Sequence, residues 1–126
     1  MITYILPISV TLPRKTKADK KVMLNMNVYR NLHHQICNDI KQAFAPISGQ
    51  GFSANKIRIC YHVEKTTKRR YDTMNIISIV DKFFLDWLVN NGRLLDDTCD
   101  NVIYGSIEGV NDCEQSRVIA KIEILA

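Results

Sequence analysis

The segment that decides the fold runs from Lys68 to Thr98 and has the sequence KRRYDTMNIISIVDKFFLDWLVNNGRLLDDT. Its middle carries apolar residues at three- and four-residue spacing, which is the period of an amphipathic helix. This apolar stripe consists of Ile76, Ile79, Val80, Phe83, Phe84, Trp87 and Leu88. Gly92 follows, and glycine suits the left-handed backbone position that ends a helix. The segment therefore predicts a buried helix that ends near Gly92.

A polar ridge lies on the other side of this predicted helix. At about 100 degrees per residue its members fall within roughly an 80-degree arc. They are Asn75, Ser78, Lys82 and Asp86. Asp81 lies off this arc but close to it. Asp72 stands just before the first turn, where a carboxylate caps a helix or meets a ligand, and Asp96 and Asp97 follow the glycine. Carboxylates therefore bracket the ridge at both ends.

Composition places the chain among ordinary globular proteins. The 126 residues are 46% hydrophobic and 24% charged, which predicts one domain over residues 1–126 with a real core. No apolar run approaches the roughly 18 residues of a membrane span, and the alternating first twelve residues are unlike a secretory signal. The cysteines lack CxxC pairing, which favours free thiols in a reducing cytosol over a disulfide or zinc framework. They are Cys37, Cys60, Cys99 and Cys113.

The net charge of +4 is concentrated in two short segments. Residues 14–21 hold five basic side chains against one acid, and residues 65–71 hold four with no acid. Such clusters match the phosphate backbone of a nucleic acid, although solvated surface loops have the same composition. The candidate DNA contacts are Arg14, Lys15, Lys17, Lys20, Lys21, Lys68, Arg69 and Arg70.

The remaining elements follow from alternation and helical spacing. Residues 2–12 alternate as a strand, in which Pro7 favours an edge position or a bulge. A helix is predicted from Asn25 or Asn27 to Phe44, with Ile40 on its apolar side. Residues 56–64 form a second strand that leads into the basic triplet and Asp72. Residues 101–108 and 117–125 complete the set as two further strands.

The predicted order is strand, helix, strand, helix, strand, strand. Two amphipathic helices packed on one face of a four-stranded mixed or antiparallel sheet would bury both apolar stripes. The sequence therefore predicts an α+β fold with two layers.

The central segment resembles the RusA family of Holliday-junction resolvases, which are small phage- and prophage-encoded endonucleases. That family has a basic cluster, Asp-x-Asp-Asn, a helix with Lys-x-x-x-Asp-x-Leu, and a turn followed by Asp-Asp. The matching residues here are Arg69, Arg70, Asp72, Asn75, Lys82, Asp86, Leu88, Asp96 and Asp97. Met74 replaces the second aspartate, and the helix is about one turn longer between Asn75 and Lys82, so Ser78 could equally take the lysine's place.

The resemblance implies a magnesium-dependent endonuclease, with Mn²⁺ as an alternative metal, acting on Holliday junctions or other branched DNA in recombination and repair. Asp72, Asp96 and Asp97 are the expected metal ligands, because Mg²⁺ takes hard oxygen donors. Lys82 would neutralise charge that develops on the phosphate. The resemblance also implies the same fold and a homodimer, in the host cytoplasm if the chain is phage-encoded.

Three other residues have supporting roles in this interpretation. Asn75 could orient a ligand or a water molecule. Asp86 lies four residues from Lys82, so a helix-surface ion pair is its simplest explanation. Asp81 is a reserve ligand if Met74 has displaced the usual one.

Structural explanations exist for the same residues. Asp72 could be only an N-cap, and Asp96 and Asp97 could be only turn residues after a helix. Two further functions therefore stay open. One is a catalytically weakened relative that binds branched DNA without cutting. The other is a phage interaction protein that inhibits a host nuclease or defence factor.

Overall fold

The structure, a computed structural model, describes residues 1–7, 11–15, 21–23, 33–44, 51–66 and 73–126. Within these ranges the chain forms strands and helices in an α+β arrangement. Their bounds are β1 (Ile2–Leu6), β2 (Thr11–Lys15), β3 (Lys21–Met23), α1 (His33–Phe44), β4 (Ile57–Glu64), α2 (Thr73–Asn90), β5 (Val102–Val110) and β6 (Arg117–Ile124).

A four-stranded mixed sheet carries the core. Its strand order is β1-β6-β4-β5, in which β6 pairs antiparallel with both neighbours and β5 runs parallel to β4. Parallel neighbours need a crossover connection, and α2 supplies it. On β4 every second residue is buried, while the residues between them form the open face of the sheet. The predicted fold class is confirmed.

Helix α2 is the largest contributor to the core. All seven residues of the predicted apolar stripe are buried, together with Ile77 and Leu85. Burial of each large apolar side chain stabilises the fold by about 1.5–3 kcal/mol. Ile40 of α1 joins the same core, as the spacing of that helix predicts, and Phe44 at the end of α1 joins it as well.

The end of α2 has the hydrogen bonds of a Schellman motif. The Gly92 N–H donates to the Val89 carbonyl at 3.1 Å, and the Arg93 N–H donates to the Leu88 carbonyl at 2.9 Å. Gly92 has a φ of 69°, which a side chain would strain, so the prediction that glycine ends the helix is confirmed.

The prediction of one strand over residues 2–12 is wrong. β1 ends at Leu6, directly before Pro7, and Thr11–Lys15 pairs with Lys21–Met23 in a separate two-stranded sheet. Proline has no N–H for the ladder, so the strand pairing with β6 stops there. β1 is nevertheless an edge strand, as Pro7 predicts.

The basic segment 14–21, predicted as a loop, contributes Arg14 and Lys15 to β2 and Lys21 to β3. The predicted helix caps Asn25 and Asn27 lie outside the described residues. All four cysteines are described and are free thiols. Neither helix that the structure describes has the length and apolar character needed to cross a membrane.

Candidate functional site

The carboxylate of Asp81, in the middle of α2, is held by two tyrosine hydroxyls. Tyr61 of β4 donates to Oδ1, and Tyr104 of β5 donates to Oδ2. The two tyrosines belong to the neighbouring parallel strands β4 and β5. Helix α2 connects these strands, and its Asp81 lies against both tyrosines. We call Asp81, Tyr61, Tyr104 and the nearby Asp97 the carboxylate cluster.

Helical geometry explains why Asp81 points toward the sheet. Ile77 and Leu85 lie four residues before and after it, and both are buried. Asp81 therefore occupies the buried face of α2, which is wider than the predicted stripe. Buried carboxylates need hydrogen-bond donors, and the two phenols supply them.

The cluster extends from the core to the surface. Tyr61 is 1% exposed, whereas Tyr104 is 47% exposed. The register shift between β4 and β5 places Tyr104 opposite Ile59 and Ile107 opposite Tyr61. Since Ile59 and Tyr61 are two residues apart, they share the helix-facing side of the sheet with Tyr104. One carboxylate oxygen thus bonds to a buried hydroxyl and the other to a half-exposed one.

The electrostatics of the cluster join Asp97 to Asp81. Burial raises the pKa of Asp81; the hydrogen bonds from Tyr104 and Tyr61 lower it in part, and the nearby Asp97 charge raises it further. Burial, the Asp81 hydrogen bond and the charges of Asp81 and Asp97 raise the pKa of Tyr104. Burial and Asp81 likewise raise the pKa of Tyr61. Both phenols are therefore neutral donors at physiological pH, and the Asp97 charge acts on both Asp81 and Tyr104.

The loop that carries Asp97 is anchored to the core. Leu94 is buried and forms a bridge with Ala54, and the Leu95 N–H donates to the Ala54 carbonyl at 3.1 Å. Oδ1 of Asp96 accepts a hydrogen bond from the Asp97 N–H at 2.8 Å. Asp96 therefore stabilises the turn locally, and Asp97 is the residue of the predicted pair whose charge acts on Asp81.

The polar ridge of α2 faces solvent over most of its length. Asn75, Ser78 and Lys82 are exposed, and Asp86 is half-buried. The Ser78 hydroxyl donates to the Asn75 carbonyl at 3.3 Å. The Lys82 Nζ lies 5.8 Å from the centre of the Phe83 ring. The predicted ion pair between Lys82 and Asp86 stays a prediction.

Several predicted site residues lie outside the described residues. They are Asp72, Lys17, Lys20, Lys68, Arg69 and Arg70. Of Arg14, Lys15 and Lys21 the structure describes the backbone, which pairs Lys15 with Lys21 across the β2–β3 hairpin. The predicted metal trio of Asp72, Asp96 and Asp97 therefore stays a prediction.

The start of α2 is set apart from the carboxylate cluster. Thr73, the first residue of the helix, precedes Asp81 by eight residues, or about 12 Å along the helix axis. Next to Thr73 lies Lys65, with Nζ 3.5 Å from the Thr73 hydroxyl. Lys65 is 3% exposed, so this first member of the second basic segment is buried.

Tyr61 and Tyr104 are the cluster residues that sequence reasoning missed. The available signal was the position of Asp81 between Ile77 and Leu85, because a carboxylate at that spacing is enclosed by apolar side chains and must find donors. The identity of the donors had no sequence signal, since it depends on which strands lie beneath the helix.

The chemistry of the pair suits a hard cation. Asp81 and Asp97 offer carboxylate oxygens, the ligand type of Mg²⁺, which usually binds one or two carboxylates and keeps several waters. Among the residues that the structure describes, no group of three or more His, Cys, Asp or Glu side chains is arranged to hold a metal ion.

Comparison with known proteins leaves the family open. The sequence matches no protein-family model and shows no significant similarity to a curated protein. The function is therefore inferred from the residues and their geometry.

Proposed function

We propose that this chain is a magnesium-dependent endonuclease that cuts branched DNA, including Holliday junctions. The observation that carries the proposal is the half-buried Asp81 carboxylate, which the Tyr61 and Tyr104 hydroxyls hold and whose pKa the Asp97 charge helps to raise. Two like charges beside each other disfavour ionisation, and a divalent cation relieves that repulsion. The motif residues between Asn75 and Asp97 resemble the RusA family. The proposed substrate class, branched DNA, rests on this resemblance.

Asp81 and Asp97 would hold Mg²⁺, or Mn²⁺ in its place, with Asp96 of the same loop as a further predicted ligand. The metal, when bound, supplies Lewis acidity toward a phosphate oxygen and lowers the pKa of a water molecule. The tyrosine hydroxyls fix the side-chain orientation of Asp81, as outer-shell donors do for metal ligands. This arrangement explains why a helix carries a carboxylate on its buried face at a cost in desolvation.

The exposed ridge of α2 supplies the surface for DNA. Lys82 follows Asp81 in sequence and lies on the solvent side of the helix, where its ammonium would neutralise charge on the scissile phosphate. The basic residues of the hairpin and of the segment before α2 would contact phosphates further along the backbone. A homodimer in the cytoplasm, the host cytoplasm for a phage protein, would nick the two opposed strands of a junction.

A specific observation favours a second candidate, a relative that binds branched DNA without cutting it. Met74 occupies the position of the second aspartate of the family motif, and its side chain is 51% exposed in the first turn of α2. A thioether does not ligate magnesium. A protein with this change would keep its basic DNA contacts while its metal site is weaker, and a host protein would be a further partner.

The test is cleavage of a labelled four-way junction beside a linear duplex of the same sequence, at about 10 mM Mg²⁺. Wild type should give paired nicks in the junction alone, and Asp81→Asn and Asp97→Asn should each abolish them. Asp100→Asn, which changes an exposed acid of the same loop, is the matched control and should cut normally.

Each other outcome assigns a different function. Junction binding without nicks by the wild type, unchanged in Asp97→Asn, would support the non-catalytic relative. Nicks that persist in both Asp81→Asn and Asp97→Asn would refute the carboxylate cluster as the metal site. The absence of both binding and nicks would refute both candidates.

A further inference from the structure

Strand β5 forms one edge of the four-stranded sheet, and six of its nine residues are exposed. Of the strands that the structure describes, β4 alone pairs with it. Backbone N–H and C=O groups alternate between the two sides of a strand, so about half of those on β5 point away from β4. The strand contains neither proline nor lysine, the residues that commonly block pairing at an edge. β5 is therefore a template for one further strand.

The regular part of this edge lies in the C-terminal half of β5. A register shift separates residues 102–104 from residues 107–110 in the pairing with β4. Residues 107–110 pair in regular register with residues 61–64, and the Lys65 N–H continues the ladder by donating to the Val110 carbonyl at 2.9 Å. A regular run that is held on its inner side offers evenly spaced donors and acceptors to a partner strand on its outer side.

The two faces of this run differ in chemistry. Ile107 lies on the helix side of the sheet, opposite Tyr61, which is buried. Glu108 lies on the open side, where its side chain is 63% exposed and its carboxylate is 2.7 Å from Nδ1 of His62. Side chains of neighbouring strands stand beside each other on the same face of a sheet. A partner strand thus meets an apolar side chain on one face and a carboxylate on the other.

The surface around β5 is acidic. Residues 96–114 contain six of the thirteen acidic residues of the chain and no lysine or arginine. All six are exposed, and they are Asp96, Asp97, Asp100, Glu108, Asp112 and Glu114. The chain as a whole has a net charge of +4, so this edge is opposite in sign to the rest of the molecule. It repels the phosphate backbone of a nucleic acid and the same edge of a second copy, and it attracts basic groups.

We propose that the β5 edge binds an extended basic segment of a protein partner, which adds to the sheet as a fifth strand. Backbone hydrogen bonds supply the pairing. The partner segment carries apolar residues on the face next to Ile107 and lysine or arginine on the face next to Glu108. The acidic loops at both ends of β5 attract the same segment. Ile107 and Glu108 lie outside the carboxylate cluster, so this surface is independent of the proposed endonuclease site.

The probe is a fluorescein-labelled peptide of about eight residues in which lysine and valine alternate, a length that matches β5. Its fluorescence anisotropy is recorded while full-length protein is added, at about 0.15 M salt and without magnesium. A second peptide has the same sequence with methyl groups on the backbone nitrogens of its central residues, which removes hydrogen-bond donors and keeps the charge. We expect saturable binding of the first peptide and binding of the second that is weaker by about 10-fold or more.

Charge reversal at two exposed acids locates the site. Glu108→Lys places a like charge beside the lysines of the peptide and should weaken binding by about 5-fold or more. Glu123→Lys makes the same change in net charge on β6, which has a strand on each side, and should bind as wild type does. Each substitution breaks one ion pair on the open face, with His62 or with Arg58, so the two variants are matched. Circular dichroism checks that both keep the fold.

Three results would overturn the proposal. They are the absence of saturable binding, equal binding of the methylated peptide, and equal affinity of Glu108→Lys and Glu123→Lys. Equal binding of the methylated peptide would mean that charge attraction acts without strand pairing. Analytical ultracentrifugation tests the alternative occupant, because a wild-type dimer that the peptide dissociates would assign the edge to a second copy.

Peptide binding and junction cleavage are separate measurements. Asp81→Asn, which should abolish nicking, should bind the peptide with wild-type affinity. Loss of nicking in Asp81→Asn without loss of peptide binding would therefore support both proposals. Peptide binding by a wild type that cuts no junction would refute the endonuclease alone, and normal nicking by a wild type that binds no peptide would refute the β5 site alone.

Discussion

Tyr104, on the edge strand β5, donates a hydrogen bond to Asp81, which lies on the buried face of α2. This bond connects the surface of the sheet to a carboxylate that burial would otherwise leave poorly solvated. The Asp97 charge acts on both residues and raises the pKa of each. A carboxylate that is costly to bury, yet fixed by two hydroxyls beside a second carboxylate, is the arrangement from which the endonuclease proposal starts.

Asp81→Asn should stabilise the protein while removing its nicking activity. Burial raises the folded-state pKa of Asp81. The contribution of this group to the free energy of unfolding is therefore fully present below the unfolded pKa of about 3.9, and it is lost as pH rises through the folded pKa. Asparagine keeps hydrogen-bonding atoms but does not ionise. Thermal melts from pH 4 to 8 should show a growing advantage of the variant, by a few degrees at neutral pH.

The matched control for this series is Asp100→Asn, whose melting temperature should follow that of wild type across the same pH range. A difference between Asp81→Asn and wild type that does not change with pH would contradict the role assigned to burial of the charge.

Removal of the two hydroxyls should have unequal effects. Tyr61→Phe deletes a buried hydrogen bond to a carboxylate and should reduce the free energy of unfolding by about 1.5–3 kcal/mol. Tyr104→Phe should cost less, because water reaches the half-exposed end of Asp81 in its place. Urea denaturation gives the free energy of unfolding of both variants. Equal losses in that free energy would mean that the exposure of Tyr104 does not reduce the effect of removing its hydroxyl.

Gly109 is required where β5 passes under the start of α2. A Cβ at this position would collide with the Thr73 hydroxyl, so Gly109→Ala should reduce stability by about 1–3 kcal/mol. Thr73→Ala removes the colliding oxygen, so the double variant should recover most of this loss. Gly51→Ala is the control, since a Cβ there has no neighbour within 4 Å. Additive losses in the double-mutant cycle would exclude the contact as the cause.

Lys82→Ala should slow cleavage far more than it weakens junction binding. The side chain lies on the exposed ridge next to Asp81, where it would act on charge that develops at the reacting phosphate. Single-turnover cleavage rates and junction affinity at the same salt concentration give the two quantities. Lys121→Ala changes an exposed lysine of β6 and is the control. Equal losses of rate and affinity would mean that Lys82 contacts only the backbone.

Met74→Asp tests whether the departure from the family motif weakens the metal site. The residue is exposed in the first turn of α2, so aspartate fits there without burial of its charge. Met74 precedes Asp81 by seven residues, or about 10 Å along the helix axis, so a metal held by Asp81 and Asp97 predicts nicking at the wild-type rate, whereas a metal ligand at the motif position predicts faster nicking at lower Mg²⁺. A Mg²⁺ titration of the nicking rate measures this, and an unchanged rate would assign the ligand role to other residues.

The helical period of residues 76–88 determined α2 and most of the core, because apolar spacing alone fixes which side of a helix must be buried. Gly92 ended that helix for a local steric reason. The hairpin was different. Pro7 indicated an interruption of the first strand. The pairing of Thr11–Lys15 with Lys21–Met23, however, depends on how the strands are arranged in the folded protein.

By itself the sequence determined the α+β class, the position of α2 and the acids around it, since these depend on periodicity and short-range sterics. Only the tertiary structure decided that the Asp97 charge acts on Asp81 and that Tyr61 and Tyr104 hold its carboxylate. The physical reason is that hydrogen bonds between residues 20 or more positions apart follow from strand order and register, which have no local signature.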